Sequence, residues 1–174
     1  MKQTRAIYPG SFDPVHLGHL DVIMRSTQIF SSVIVAVAAS RAKGPLFGVD
    51  VRIQMLRDTL GDNPAVEIVP LHGLLVDFAR EHEVFTVIRG LRAVSDFEFE
   101  FQMALMNRKL EPRLETIYLT PKEDYTYLSS RIVKEVALFG GDVDKFVPVP
   151  AAARLKQALG EPGIAEQARL RQKS

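Results

Sequence analysis

The run VIVAVAA at residues 33–39 is apolar at every position, so an extended chain there has no polar face. A strand with one wet face alternates in character. One that does not must be covered on both sides, which is the situation of an inner strand in a parallel sheet. Four other short β-rich runs follow the same chain: RAIYP (5–9), VEIV (66–69), VFTVI (84–88) and ETIYL (115–119). Helical patterns lie between them. From His19, the residues Leu20, Ile23, Met24, Thr27 and Phe30 recur at helical spacing, and VDVRIQMLRDTL (49–60) reads as a helix stopped by GDNP. LLVDFAREH (74–82) and SSRIVKEVALF (129–139), the latter closed by Gly140-Gly141, complete the series. Strand and helix in alternation predict an α/β fold with a five-stranded parallel sheet and helices on both faces. No repeat or linker interrupts the pattern, so one domain is expected over 1–160, followed by a polar, frayed tail, EPGIAEQARLRQKS, at 161–174.

The segment DFEFEFQMALMNRKL (96–110) starts with strict alternation, a strand signal, yet it continues unbroken through good helix formers, and its length favours a helix. At 100° per residue, Phe97, Phe101, Ala104 and Leu105 form one apolar stripe, and Phe99, Met103, Met106 and Leu110 form a second nearly opposite, with Glu100 and Asn107 on a polar strip between them. A helix with two apolar faces needs two partners. The expectation is that one is the sheet of the same domain and the other a second subunit, the alternative cover for the second face being C-terminal residues of the same chain.

Composition narrows the function classes. With 22 basic and 21 acidic residues the chain lacks the basic excess of a dedicated nucleic-acid or membrane-surface binder, so neither partner is expected. There is no cysteine, which excludes disulfides and thiolate metal sites. The N-terminal MKQTRAIYPG has only a short apolar run before Pro9 and does not read as a signal peptide, and Val33 to Ala39 is too short to span a bilayer. A cytoplasmic location is expected.

The chemistry concentrates at strand ends. YPGSFDPVHLGH (8–19) leaves the first strand and enters the first helix, the place where open parallel sheets bind ligands. A helix N-terminus attracts phosphate, Gly10 and Gly18 permit close backbone approach, and His16 and His19 add ring donors. Neither GxxxxGK[ST] nor GxGxxG occurs, which argues against a P-loop or a standard dinucleotide site. Taken alone the histidine pair also reads as a solvated turn; a zinc site would need a third ligand that no HExxH or cysteine supplies. Three more strand ends bear on the choice: SRAKGP carries Lys43, RGLR carries Arg89 and Arg92, and YTYLSSR (125–131) opens a helix with Ser129 and Ser130. Four phosphate-compatible strand ends on one side of a sheet point to a phosphate-handling site.

At these residues the chain resembles a known family. YPGSFDPVHLGH is similar to the [HT]xGH signature of the nucleotidyltransferase superfamily, and RGLRAVSDFEFEFQMALMN with YLSSRIVKEVA narrows the resemblance, over about residues 5–150, to the bacterial phosphopantetheine adenylyltransferases. That resemblance implies a Rossmann-like domain, adenylyl transfer from ATP to 4′-phosphopantetheine giving dephospho-coenzyme A and pyrophosphate, magnesium, and a homohexamer built as a dimer of trimers. It assigns Ser11 and Phe12 to ATP, with Ser11 also near the phosphopantetheine phosphate, and makes His19 the catalytic residue at the α-phosphate. It gives Lys43, Leu75 and Arg89 to phosphopantetheine. Gly90, Leu91, Arg92, Glu100 and the segment Tyr125, Thr126, Tyr127, Leu128, Ser129, Ser130 and Arg131 go to ATP. His16 stands where many members have threonine, and Arg131 where a serine or threonine often follows the paired serines. Rival expectations are another nucleotidyltransferase, such as one acting on nicotinamide mononucleotide, and a non-catalytic nucleotide-binding module.

Overall fold

The structure, a computed structural model, describes residues 4–39, 44–92 and 94–160. Five parallel strands, β1 (Arg5–Gly10), β2 (Ser32–Ala38), β3 (Val66–Leu71), β4 (Thr86–Gly90) and β5 (Glu115–Leu119), lie in the order β3-β2-β1-β4-β5. The helices are α1 (Leu17–Ile29), α2 (Val49–Leu60), α3 (Leu75–His82), α4 (Val94–Leu110), α5 (Ser130–Leu138) and α6 (Val149–Gly160), with a single 3-10 turn at Glu123–Tyr125. The expected α/β sheet is therefore present.

β2 shows why its run had to be apolar throughout. Val33, Val35 and Val37 belong to the core under α1, α2, α5 and α6, whereas Ile34 and Ala36 belong to a second core that α3 covers with Val76, Phe78 and Ala79. At the sheet edge the demand relaxes: β3 carries the exposed Glu67 and tolerates Pro70.

Chain order runs from β1 outward through β2 to β3, then returns to β4 on the other side of β1. The carboxyl ends of β1 and β4 thus flank the point where the winding reverses, which opens a crevice there.

Three local expectations need correction. The fourth strand begins at Thr86, because Val84 is still tied to the end of α3: Glu83 adopts φ 53° and the Val84 N–H donates to the Ala79 carbonyl at 3.0 Å. Met24 is exposed, and α1 instead buries Gly18, Val22, Ile23 and Ser26. On α4, both apolar stripes stay largely exposed, although Phe97 meets the Tyr118 ring of β5 edge-on at 6.1 Å. The helix's half-buried positions are Asp96, Glu100, Ala104 and Asn107, while Phe99 is 61% and Met106 59% exposed. The polar strip faces inward because Glu100 meets Arg89 there, and the Tyr118 hydroxyl donates to the Glu100 carbonyl at 3.0 Å. Periodicity locates faces but does not say which one turns in.

Helix α6 was not read from the sequence, although Ala151, Ala152 and Leu155 bury one face against the first core. Residues 161–174, the expected tail, lie outside the described residues.

Candidate active site

The crevice at the winding reversal is a cavity of about 460 Å³ lined, among others, by Ser11, His16, His19, Arg89, Arg92 and Ser129. Two helices start at it. Leu17 opens α1 behind His16, and Ser130 opens α5 behind Ser129, so two positive dipole ends converge on one space, although the Leu17 N–H already donates to the Phe146 carbonyl and the His19 and Ile132 N–H groups to the caps.

The two histidines cap α1 reciprocally. The His19 N–H donates to His16 Nδ1 at 3.3 Å, and the His16 N–H donates to His19 Nδ1 at 3.2 Å. Their rings stack at 3.6 Å between centroids. A nitrogen that accepts a backbone N–H carries no proton, so each neutral ring holds its proton on Nε2. Burial pushes the His16 imidazole down to about 3, with Arg92 adding to the effect; burial likewise holds His19 well below its ordinary value, helped by His16 and both arginines. His19 therefore offers the cavity an Nε2–H that stays in place near neutral pH. Gly18 leaves room for the stack: a Cβ there would stand a tight 3.2 Å from two His16 ring atoms.

These shifts set an acid limit on stability. A histidine whose folded pKa lies below its unfolded value of about 6.5 makes the unfolded chain the better proton binder beneath that pH, so stability falls as pH drops. The fall starts below about pH 6.5 and steepens toward 4, at up to about 1.4 kcal/mol per pH unit for each group. Glu111, held near 2 by Arg113 and Arg80, adds a further loss below its ordinary range. Thermal melts across pH 4–8 measure this, and replacing His16 by threonine is expected to flatten the slope between 6 and 4.5.

Ser11 reaches the cavity from a tight loop. The Phe12 ring is fully buried beneath Gly10, where a Cβ would lie 2.8 Å from Phe12 Cζ, and packs edge-on against His19 at 4.9 Å. Across the cavity, Arg89 makes a bidentate pair with Glu100 at 2.7 and 2.6 Å and also donates to the Pro9 carbonyl at 2.7 Å, which ties the ends of β1 and β4 together. Arg92 pairs with Asp96 at 2.9 Å and donates to the Leu128 carbonyl at 2.7 Å, anchoring the segment that leads into α5.

The geometry brings together Ser11, His19, Arg89, Gly90, Arg92, Glu100, Tyr125, Ser129 and Ser130, all on the cavity wall. Leu75 lines an adjoining groove between α3 and α4 that shares Arg89 and Glu100 with the cavity. The walls do not include Phe12, Leu91, Thr126, Tyr127, Leu128 or Arg131. Phe12 supports the site from below, and Tyr127 packs against Phe146. Lys43 lies outside the described residues. Ser129 accepts from the Ile132 N–H at 3.2 Å as the α5 cap, and the Ser130 hydroxyl is spent on the Pro14 carbonyl at 2.9 Å, which leaves Ser130 its backbone N–H for a ligand. Sequence reasoning missed Tyr8, Asp96 and Phe99 on the wall. Only Asp96 left a trace, four residues after Arg92.

Comparison with known proteins is decisive about family. The cytidylyltransferase-like family matches residues 7–136. Phosphopantetheine adenylyltransferase of Methylococcus capsulatus is 53% identical over 158 residues, covering 91% of this chain and 98% of its own. This chain belongs to the phosphopantetheine adenylyltransferase family. The same-named protein of Heliobacterium modesticaldum is 49% identical over 91% of this chain and 94% of its own. Among solved structures, a putative nicotinate-nucleotide adenylyltransferase from Vibrio parahaemolyticus superposes with a TM-score of 0.65 at 18% identity, covering 93% of this chain and 98% of its own. A bifunctional NMN adenylyltransferase/ADP-ribose pyrophosphatase from Francisella tularensis gives 0.69 at 15% identity, with 99% of this chain and 56% of its own covered. Those two share the fold; the Methylococcus and Heliobacterium relatives share about half the aligned residues.

Proposed function

We propose that this chain transfers the adenylyl group of ATP to 4′-phosphopantetheine, forming dephospho-coenzyme A and releasing pyrophosphate. A phosphate oxygen of phosphopantetheine bonds to the α-phosphorus as the bond from that phosphorus to the bridging oxygen of pyrophosphate breaks. The observation that carries the reading is the neutral, stacked histidine pair at the start of α1, set opposite two anchored arginines in a polar cavity. The attacking phosphate monoester, with a second pKa of about 6, is mostly a dianion at neutral pH and needs no general base. What the reaction needs is alignment and fixed donors.

In this reading His19 Nε2–H donates to the α-phosphate oxygens, the α1 and α5 N-termini receive the polyphosphate, and Arg92 flanks it. Ser11 serves ATP and also the phosphopantetheine phosphate, which Lys43 and Arg89 hold as well, with Leu75 along its arm in the adjoining groove. Phe12 supports Ser11 and His19 from beneath. The backbone of Gly90 and Leu91, Glu100 and the segment Tyr125–Arg131 frame ATP. Both carboxylates on the wall, Asp96 and Glu100, are engaged by arginines. This donor set suits magnesium carried on phosphate oxygens, where it would neutralise charge on the departing pyrophosphate. The expected site is the cytoplasm; among the described residues no helix is long and apolar enough to cross a membrane.

The test is incubation with ATP, magnesium and either 4′-phosphopantetheine or nicotinamide mononucleotide, with product masses read out. Dephospho-coenzyme A and pyrophosphate are expected from the first alone. Adenylylation of the mononucleotide alone, or nucleotide binding with no product, would replace this reading with one of its rivals.

The same reading makes the protein a homohexamer, a dimer of trimers. Its support is α4, whose Phe97, Phe99, Phe101, Met103, Leu105, Met106 and Leu110 are all more than 40% exposed in the single chain. Apolar surface so concentrated marks an interface. Replacing both Met103 and Met106 by aspartate is expected to lower the mass seen by light scattering, since each buried carboxylate costs several kcal/mol. A monomeric wild-type protein at micromolar concentration would contradict the assembly.

A further inference from the structure

Two charged side chains are buried deeper than any on the cavity wall, yet neither touches the cavity. Asp13 is 4% and Arg52 1% exposed. Asp13 accepts from the N–H groups of Leu46 and Phe47 at 3.0 and 2.9 Å, and from Lys134 Nζ on α5 at 2.6 Å. Arg52, on α2, donates to the carbonyls of Phe47 at 2.9 Å, Ser11 at 2.5 Å and Ala38 at 3.0 Å. A guanidinium and a carboxylate hidden from water need partners to compensate their lost hydration, and these come from the Ser11 and Leu46–Phe47 loops, from the end of β2 at Ala38 and from α5 at Lys134.

Between the two anchored points sits Phe12, a bulky residue at φ 49°. Such a conformation persists only where its surroundings over-determine it. Arg52 holds the residue before it by the Ser11 carbonyl, and Lys134 holds the residue after it by the Asp13 carboxylate. Ser130, in the same helix as Lys134, ties down Pro14. The loop that presents Ser11 and wedges the Phe12 ring beside His19 is therefore gripped from α2 on one side and α5 on the other.

We propose that Lys134 and Arg52 are positioning residues for the transfer step: acting through Asp13 and the Ser11 carbonyl, they fix the Ser11–Pro14 loop so that Ser11 and His19 meet the reacting phosphates in register. This rests on the adenylyl-transfer reading above. Losing Lys134 leaves Asp13 with two backbone donors and a buried charge short of its counterion, and the cheapest relief is to swing the loop toward water. Displacements of about 1 Å at a reacting centre can cost about a hundredfold in rate. Because the adenosine moiety of ATP lies in this reading against other elements, the loss is expected in turnover more than in affinity.

Arg52 has no access to solvent and its replacement endangers the fold. Lys134, with 30% of its side chain exposed, carries the test. Lys134→Met keeps the length and removes the charge. Its kcat, measured per folded active site at saturating substrates, is expected to fall about 10- to 100-fold, with KM for ATP within about threefold of wild type. Lys134→Arg is expected to recover most of the rate. A purely structural role predicts the opposite pattern: a lower melting temperature with kcat per folded site within twofold of wild type, and that result would overturn the proposal, as would an arginine variant as slow as the methionine one. Amide exchange over residues 10–16 provides a readout independent of turnover. Faster exchange in Lys134→Met with the rest of the sheet unchanged supports the brace, and unchanged exchange there refutes it. A wild-type chain that makes no dephospho-coenzyme A would sink the functional reading and leave this second measurement to judge the brace.

Discussion

His19→Ala is expected to lower kcat by about a hundredfold or more while KM for ATP changes by less than about fivefold. The expectation follows from what the reciprocal cap does to the ring. With Nδ1 occupied by the His16 N–H, the imidazole has one proton, on Nε2, and burial beside two arginines keeps it from gaining a second. Such a group cannot serve as a general acid near neutral pH and is not needed as a base. It is a fixed dipole. A fixed donor acts most where charge builds on the α-phosphate oxygens as the fifth bond forms, so its removal raises the barrier more than it weakens the ground state. One preorganised donor of this kind is worth about 3 kcal/mol. His19→Asn, which retains an N–H donor on a shorter side chain, is expected to fall between alanine and wild type. A further consequence concerns pH: kcat for the wild type should show no histidine ionisation between pH 6 and 8, and only the substrate phosphate should titrate there. A near-normal kcat for His19→Ala with a steep rise in KM for ATP would make the ring a binding group only.

Much of this site is legible in the sequence alone. The all-apolar VIVAVAA forces an inner strand with cover on both faces, and the structure divides its side chains between two cores accordingly. Loops after successive parallel strands must emerge at one end of the sheet, so YPGSFDPVHLGH, RGLR and YTYLSSR were bound to meet there. Their gathering is topology; their contacts are not. That His16 and His19 cap each other follows from i, i+3 spacing only once α1 is known to start at Leu17. Arg89 and Glu100 lie eleven residues apart on different elements, and no local pattern links them. The inward face of α4 was misjudged for the same reason: in isolation, apolar stripes outrank a polar strip, and only the Arg89 partner reverses that order. Asp13, Arg52 and Lys134 gave no signal, because a buried charge looks like any surface charge until the chain is folded.

The pair of Arg89 and Glu100 yields the second large effect. Arg89→Ala would, on a reading of Arg89 as a phosphopantetheine contact alone, weaken one substrate and spare the other. The structure points to a broader result. The Arg89 side chain is 30% and the Glu100 side chain 12% exposed, and the pair stands between the cavity and the adjoining groove, on the wall of both. Removing Arg89 strands a carboxylate that is largely dry and frees the Pro9 carbonyl that anchored the end of β1. Breaking a buried pair from one side costs about 3–5 kcal/mol; with the arginine still partly solvated, about 2–3 kcal/mol is expected here in folding stability. Arg89→Ala should therefore lower the melting temperature and weaken both ligands, phosphopantetheine the more, because an uncompensated Glu100 repels phosphate on either side. Arg89→Ala/Glu100→Ala should recover about 1–2 kcal/mol of that stability, since the stranded charge is gone. It should also recover part of the affinity for a non-hydrolysable ATP analogue but little of that for phosphopantetheine, which in the proposed reading has lost one of its two cations in both variants. Lys43→Ala tests the other cation that the proposed reading assigns to phosphopantetheine. Calorimetry and thermal melts on the single and double variants check the cycle. Strictly additive losses would show that the two side chains act independently, and an Arg89→Ala single variant unable to bind phosphopantetheine yet normal toward the ATP analogue would place Arg89 wholly on the acceptor side.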